Sequence, residues 1–173
     1  MTGWLDRSAV LVAATAPLIV GLAPAQVGAE EADAALERAL TVLDATPIVD
    51  THNDLPWVIS EKLGGDVEGH DISVRARFDT DIPRLREGRV GTQFWSVYVP
   101  SNLPPFESMR AQLEQIDIAR RIIAAYPEDL GWATSVADVE RVQGEGRIAS
   151  LLGIEGGHTI GNSLGALRAY YDL

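Results

Sequence analysis

Three residues of this chain have the types and placement to hold a divalent metal ion: His52, Asp54 and Glu155. His52 and Asp54 are two apart in Pro47-Ile48-Val49-Asp50-Thr51-His52-Asn53-Asp54-Leu55-Pro56-Trp57, and on a strand that persists through both they project from one face. An imidazole nitrogen beside a carboxylate oxygen is a natural ligand pair for a zinc-type ion. Glu155 closes the apolar run Ile148–Ile154 and precedes Gly156 and Gly157, which leave room for a ligand or a tight turn. Taken singly, each has a plainer interpretation: an exposed strand end with a satisfied histidine, and an acidic residue capping a turn.

The elements that must position these residues follow from the hydrophobic pattern. Residues 31–45 carry Ala32, Ala35, Leu36, Ala39, Leu40 and Leu43 at helical spacing, ended by Pro47. Residues 48–52 read as a short buried strand, and residues 61–81 as a long polar loop with a turn at Gly64-Gly65. Arg89–Val99 is the strongest strand, rich in aromatic and β-branched residues. Met109, Leu113, Ile116, Ala119, Ile122 and Ile123 mark an amphipathic helix over 107–126. Ser135 and Asp138 suggest the capped start of a helix over 136–143, stopped at Gly144 and Gly146. Ile148–Ile154 is a continuous apolar strand of the parallel-sheet kind, and Ser163 starts a last helix running to the chain end. Strands alternating with helices predict an α/β fold with parallel strands, and put His52, Asp54 and Glu155 at strand C-terminal ends, where such folds build their sites. Three strands are too few to close an eight-stranded barrel of about 250 residues.

Composition narrows the chemistry. The chain has 173 residues, 46% hydrophobic and 23% charged, which is a globular balance. A net charge of −11 argues against a nucleic-acid partner, which requires a basic face. The lack of cysteine excludes disulfides, thiolate zinc sites, a cysteine nucleophile and a lipid-modified cysteine anchor, so a metal must be held by carboxylates and the three histidines, His52, His70 and His158. Ala9–Pro24 is an uncharged, mostly apolar run followed by Val27-Gly28-Ala29, so residues 1–29 are expected to be a cleavable secretory signal and 30–173 the mature domain, incomplete by its strand count. The apolar run is short for a membrane span, and none is expected after cleavage; the product is then exported, periplasmic or secreted.

Three strings agree in order and spacing: the His52 string above, then Gly91-Thr92-Gln93-Phe94-Trp95-Ser96-Val97-Tyr98, then Ile154-Glu155-Gly156-Gly157-His158. Together they resemble the renal (membrane) dipeptidase family of zinc peptidases, over roughly residues 46–172. The resemblance implies the N-terminal part of a (β/α)8 TIM-like metal-dependent hydrolase barrel. It implies two Zn2+ ions per complete site, with His52 and Asp54 on the first and Glu155 bridging both, and with Trp57 and Tyr98 lining the substrate pocket. The implied reaction is hydrolysis of dipeptides by water activated between the ions, with a D-residue tolerated on the C-terminal side. Glu155 is then both ligand and catalytic carboxylate. A homodimer is compatible with this picture.

Other residues draw weaker expectations. His158 either orients Glu155 or is a hydrogen-bonded turn histidine, His70 is expected to be solvated, Trp95 to be core, and Asp50 to have a structural or supporting role. Thr51 and Thr92 stand where family members often carry glycine. The family's two further zinc-binding histidines, its substrate-orienting histidine and its late catalytic aspartate are expected beyond Leu173, so this polypeptide alone is expected to be inactive and poorly stable, with an unpaired sheet edge. Two alternatives remain open: another barrel-type metal-dependent hydrolase acting on lactones, amides or phosphoesters, and a non-catalytic binding remnant.

Overall fold

A computed structural model describes residues 29–173. The signal expected at residues 1–29 lies outside them, apart from Ala29, the first residue of helix α1. The elements run α1 (Ala29–Ala45), β1 (Ile48–Asn53), α2 (Leu55–Leu63), α3 (Ile82–Glu87), β2 (Val90–Tyr98), α4 (Pro105–Ala125), β3 (Leu130–Trp132), α5 (Val136–Gly144), β4 (Ile148–Glu155), a 3₁₀ turn (Gly157–Ile160) and α6 (Leu164–Tyr171). The strands form one parallel sheet in the order β1-β2-β4-β3. The expected parallel α/β architecture is therefore present, with four strands rather than three among the described residues. β3 escaped the pattern because three residues are too few to show a period.

β2 lies inside the sheet; its Trp95 and Val97, and Val99 just beyond it, are wholly buried. Against it pack Leu55 and Ile59 of α2 and Ile116, Ala119 and Ile122 of α4. The inward stripe of α4 differs from the expected one: Ser108, Gln112 and Gln115 are buried, while Leu113 is 49% exposed. The Gln112 amide explains part of the shift, because its Nε2 donates to the Val97 carbonyl at 3.0 Å and satisfies a buried acceptor.

Several local expectations need correction. β1 is less buried than expected: among the described residues it has a strand neighbour on one side only, and Val49 is 53% exposed. The polar region expected to be irregular over 61–81 starts later, because α2 extends through Leu63 and ends on left-handed Gly64. α1 leaves Leu36 and Val42 exposed, so its apolar face is not buried by the described residues. β4 is buried over Ile148–Ser150 and opens toward Glu155, because β3 covers only its first residues. His70 is buried, with its ring 5.1 Å from that of Phe78, and its Nε2 has no hydrogen-bond partner among the described residues.

The polar segment between α2 and α3 is pinned by Asp81, which is fully buried. Its Oδ1 accepts from the Arg84 N–H (2.8 Å), capping α3, and its Oδ2 accepts from the Ala76 N–H (3.0 Å) and Arg84 Nε (2.6 Å). Burial pushes the Asp81 carboxyl up, but the hydrogen bonds from the Arg84 and Ala76 N–H groups and the Arg84 guanidinium outweigh it and lower its pKa. A carboxyl with a depressed folded-state pKa stabilises above its unfolded pKa, and that stabilisation is lost as pH falls through the folded value. Asp81→Ala is expected to cost about 2–3 kcal/mol in urea unfolding at neutral pH. The gap from wild type should narrow as the solution is acidified below the ordinary carboxylate range.

Candidate metal centre

Parallel pairing brings the C-terminal ends of β1, β2 and β4 together. Asn53 pairs with Trp95, and Tyr98 pairs with Glu155. His52 lies near the end of β1 and Glu155 ends β4. Asp54 is not on the strand as expected; it is the residue before α2, with φ −87° and ψ 16°. This turn still brings the two side chains together. His52 Nε2 is 3.2 Å from Asp54 Oδ1 and 3.3 Å from Glu155 Oε2.

One ligand atom from each of the three residues lies within 4.8 Å of the others. All three side chains are about half exposed. Neither carboxylate has an arginine or lysine ion-pair partner among the described residues. Two carboxylates turned toward one imidazole without a basic side chain leave net negative charge for a cation to neutralise. One nitrogen and two oxygen donors at this spacing fit a divalent ion of zinc type.

Groups around the cluster hold it in shape. The Ser96 hydroxyl donates to Glu155 Oε2 at 3.2 Å, and the His52 N–H donates to Asp50 Oδ1 at 3.1 Å. Ser96 had no role assigned from sequence; a buried hydroxyl in an otherwise aromatic and β-branched strand is the signal that marks it. A cavity of about 300 Å³ adjoins the cluster, lined among others by His52, Asn53, Asp54, Phe78, Asp79 and Thr80, so the end of the polar segment walls one side. A cleft of similar volume, about 320 Å³, opens beside Pro47, Val90 and Ile148 at the opposite end of the strands, and its arginines are paired with acids.

Trp57 on α2 and Tyr98 at the end of β2 meet edge to face, with ring centroids 5.0 Å apart and an interplanar angle of 86°. Tyr98 is the strand neighbour of Glu155, so this aromatic pair stands beside the cluster. Trp95 is core, as expected. His158 follows neither expectation: it lies in the 3₁₀ turn with its ring against Gly156, and its Nε2 has no hydrogen-bond partner among the described residues.

With this geometry in hand, comparison with known proteins decides the family. The sequence profile of the membrane dipeptidase family, peptidase family M19, matches residues 36–173. The chain belongs to that family. It is 40% identical to Dipeptidase 3 of Mus musculus over 137 residues, 79% of this chain and 27% of the mouse protein. It therefore spans about a quarter of the length of that relative. Among solved structures it is similar to the probable dipeptidase PvdM from Pseudomonas aeruginosa, with a TM-score of 0.67 and 16% identity over 80% of this chain and 35% of that one. It is also similar to a metallopeptidase from Rhodobacter sphaeroides liganded with a phosphinate mimic of the dipeptide L-Ala-D-Ala, with a TM-score of 0.63 and 19% identity over 73% of this chain and 42% of that one. At these identities the likeness is one of fold: the parallel β/α units of this family member match part of the barrel dipeptidases.

The edge-to-face pair gives a check on the geometry of this M19 chain. A double-mutant cycle with Trp57→Ala and Tyr98→Ala should return a stability coupling of about 0.5–1.5 kcal/mol. Additive effects of the two substitutions would place the rings apart.

Proposed function

We propose that this chain supplies the first zinc position and the bridging carboxylate of a metallodipeptidase that hydrolyses dipeptides. The observation that carries this reading is the convergence of His52 Nε2, Asp54 Oδ1 and Glu155 Oε2 at the C-terminal ends of parallel strands. Family membership supplies the reaction class, and the cluster supplies a donor set suited to it. Zinc ions held there would supply Lewis acidity, polarising a carbonyl and making water acidic enough to act near neutral pH.

The chain's own residues divide the remaining work. His52 offers a neutral imidazole nitrogen, and Asp54 and Glu155 offer the negative oxygens. Ser96 orients Glu155 through Oε2, while Glu155 Oε1 makes no hydrogen bond among the described residues, which suits a carboxylate shared between two ions. Trp57 and Tyr98 form an aromatic wall against which a dipeptide side chain can rest. In the hydrolysis the water oxygen joins the carbonyl carbon, the C–N bond breaks, and a proton passes to the leaving amine. The dipeptide mimic bound by the Rhodobacter sphaeroides relative makes a D-residue at the C-terminal position a sensible first substrate. Export, proposed from the pattern of residues 1–29, would place that activity outside the cytoplasm and is checked by sequencing the N-terminus of the exported protein.

The test is carried out on the full protein. Zinc titration by calorimetry should show binding that His52→Ala abolishes, and zinc at about 100 times its Kd should stabilise the wild type by about 2.7 kcal/mol. A dipeptide panel should be hydrolysed in preference to lactones and phosphoesters, with activity lost to a chelator and restored by zinc. Glu155→Gln should lower kcat/KM by more than about 100-fold. Zinc binding that survives both substitutions would sink the assignment, and a lactone or phosphoester preference would replace the substrate class.

A further inference from the structure

Resting on the metal-binding reading of His52, Asp54 and Glu155, we infer that Gln93 is a positioning residue that sets the aim of His52 and Asp54 without touching the metal. Gln93 is fully buried in the middle of β2, where a strand interior calls for an apolar side chain. A buried primary amide is costly unless its hydrogen bonds are made, so its partners reveal what it is for. Two of its three partners lie on β1. Nε2 donates to the Asp50 carbonyl at 3.4 Å and to the Phe94 carbonyl at 3.1 Å, and Oε1 accepts from Asn53 Nδ2 at 3.3 Å.

The strand register shows why β1 needs such a clamp. Asp50 pairs with Gln93 and Asn53 pairs with Trp95, so β1 carries an extra residue between these pairs, at Thr51-His52. This is a bulge, a device that bends a strand and turns a side chain away from the regular alternation. The Gln93 amide spans it, holding Asp50 on one side of His52 and Asn53 on the other. Asn53 extends the clamp forward: its Oδ1 accepts from the Leu55 N–H at 3.1 Å and from the Thr80 hydroxyl at 3.2 Å. Each metal-ligand candidate on this segment is thus flanked by tethered neighbours, Asp50 and Asn53 around His52, and Asn53 and Leu55 around Asp54. Without the clamp the extra residue has no fixed place in the β1–β2 pairing, and a one-residue slip reverses every side chain. The Thr80 contact joins the same network to the wall of the cavity.

Gln93→Met keeps the volume and removes all three hydrogen bonds. It is to be compared with wild type in the full protein by zinc calorimetry, by the visible absorption spectrum of bound Co2+, and by circular dichroism and thermal unfolding without metal. The expected result is zinc affinity lower by about 10–100-fold and altered Co2+ bands, with the metal-free secondary structure retained. Asn53→Ala should act in the same direction, and the double variant should lose no more than the weaker-binding single variant. Wild-type affinity and an unchanged Co2+ spectrum in Gln93→Met would overturn the assignment; if that variant does not fold, the same result in Asn53→Ala overturns it. A wild-type protein that binds no zinc fails the metal reading itself, and the role of Gln93 with it.

Discussion

β2 is hydrogen-bonded to β1 on one side and to β4 on the other, all running the same way, and the arrangement of the ligand cluster follows from that pairing. His52 and Glu155 are far apart in sequence and on strands that do not touch, yet both end at the same edge of the sheet because β2 sets the register of each. The buried face of β2, anchored by Trp95 and Val97 against α2 and α4, keeps that register from drifting. Packing well away from the cluster therefore determines whether three polar side chains meet.

Polar groups on and around β2 then convert strand placement into ligand geometry. Gln93 works toward β1, Ser96 toward Glu155, and Gln112 of α4 satisfies the carbonyl of Val97 between them. Each is buried, and each would be a liability if unpaired. A central strand that carries two inward-acting polar residues at the cost of apolar burial is organised around a site rather than around stability alone.

Much of this was legible in the sequence. The parallel α/β class followed from strands alternating with helices, the capped start of α5 from Ser135 and Asp138, and the family from three strings whose agreement is far more specific than any one of them. What was not legible has physical causes. β3 is too short to show a period, and the exposure of β1 follows from its having one strand neighbour among the described residues, which no local pattern encodes. The inward turn of Gln112 ran against the apolar stripe because its amide reaches the Val97 carbonyl, a tertiary acceptor that no local pattern reveals. His70 is likewise buried within a polar segment, its ring beside that of Phe78, a packing that composition does not reveal.

The central claim is that His52, Asp54 and Glu155 together bind a metal ion, and anomalous diffraction at the zinc absorption edge from crystals of the full protein tests it most directly. The account predicts an anomalous peak bonded to His52 Nε2 and to carboxylate oxygens of Asp54 and Glu155. A protein saturated with zinc whose anomalous peaks all lie away from these three side chains would contradict it.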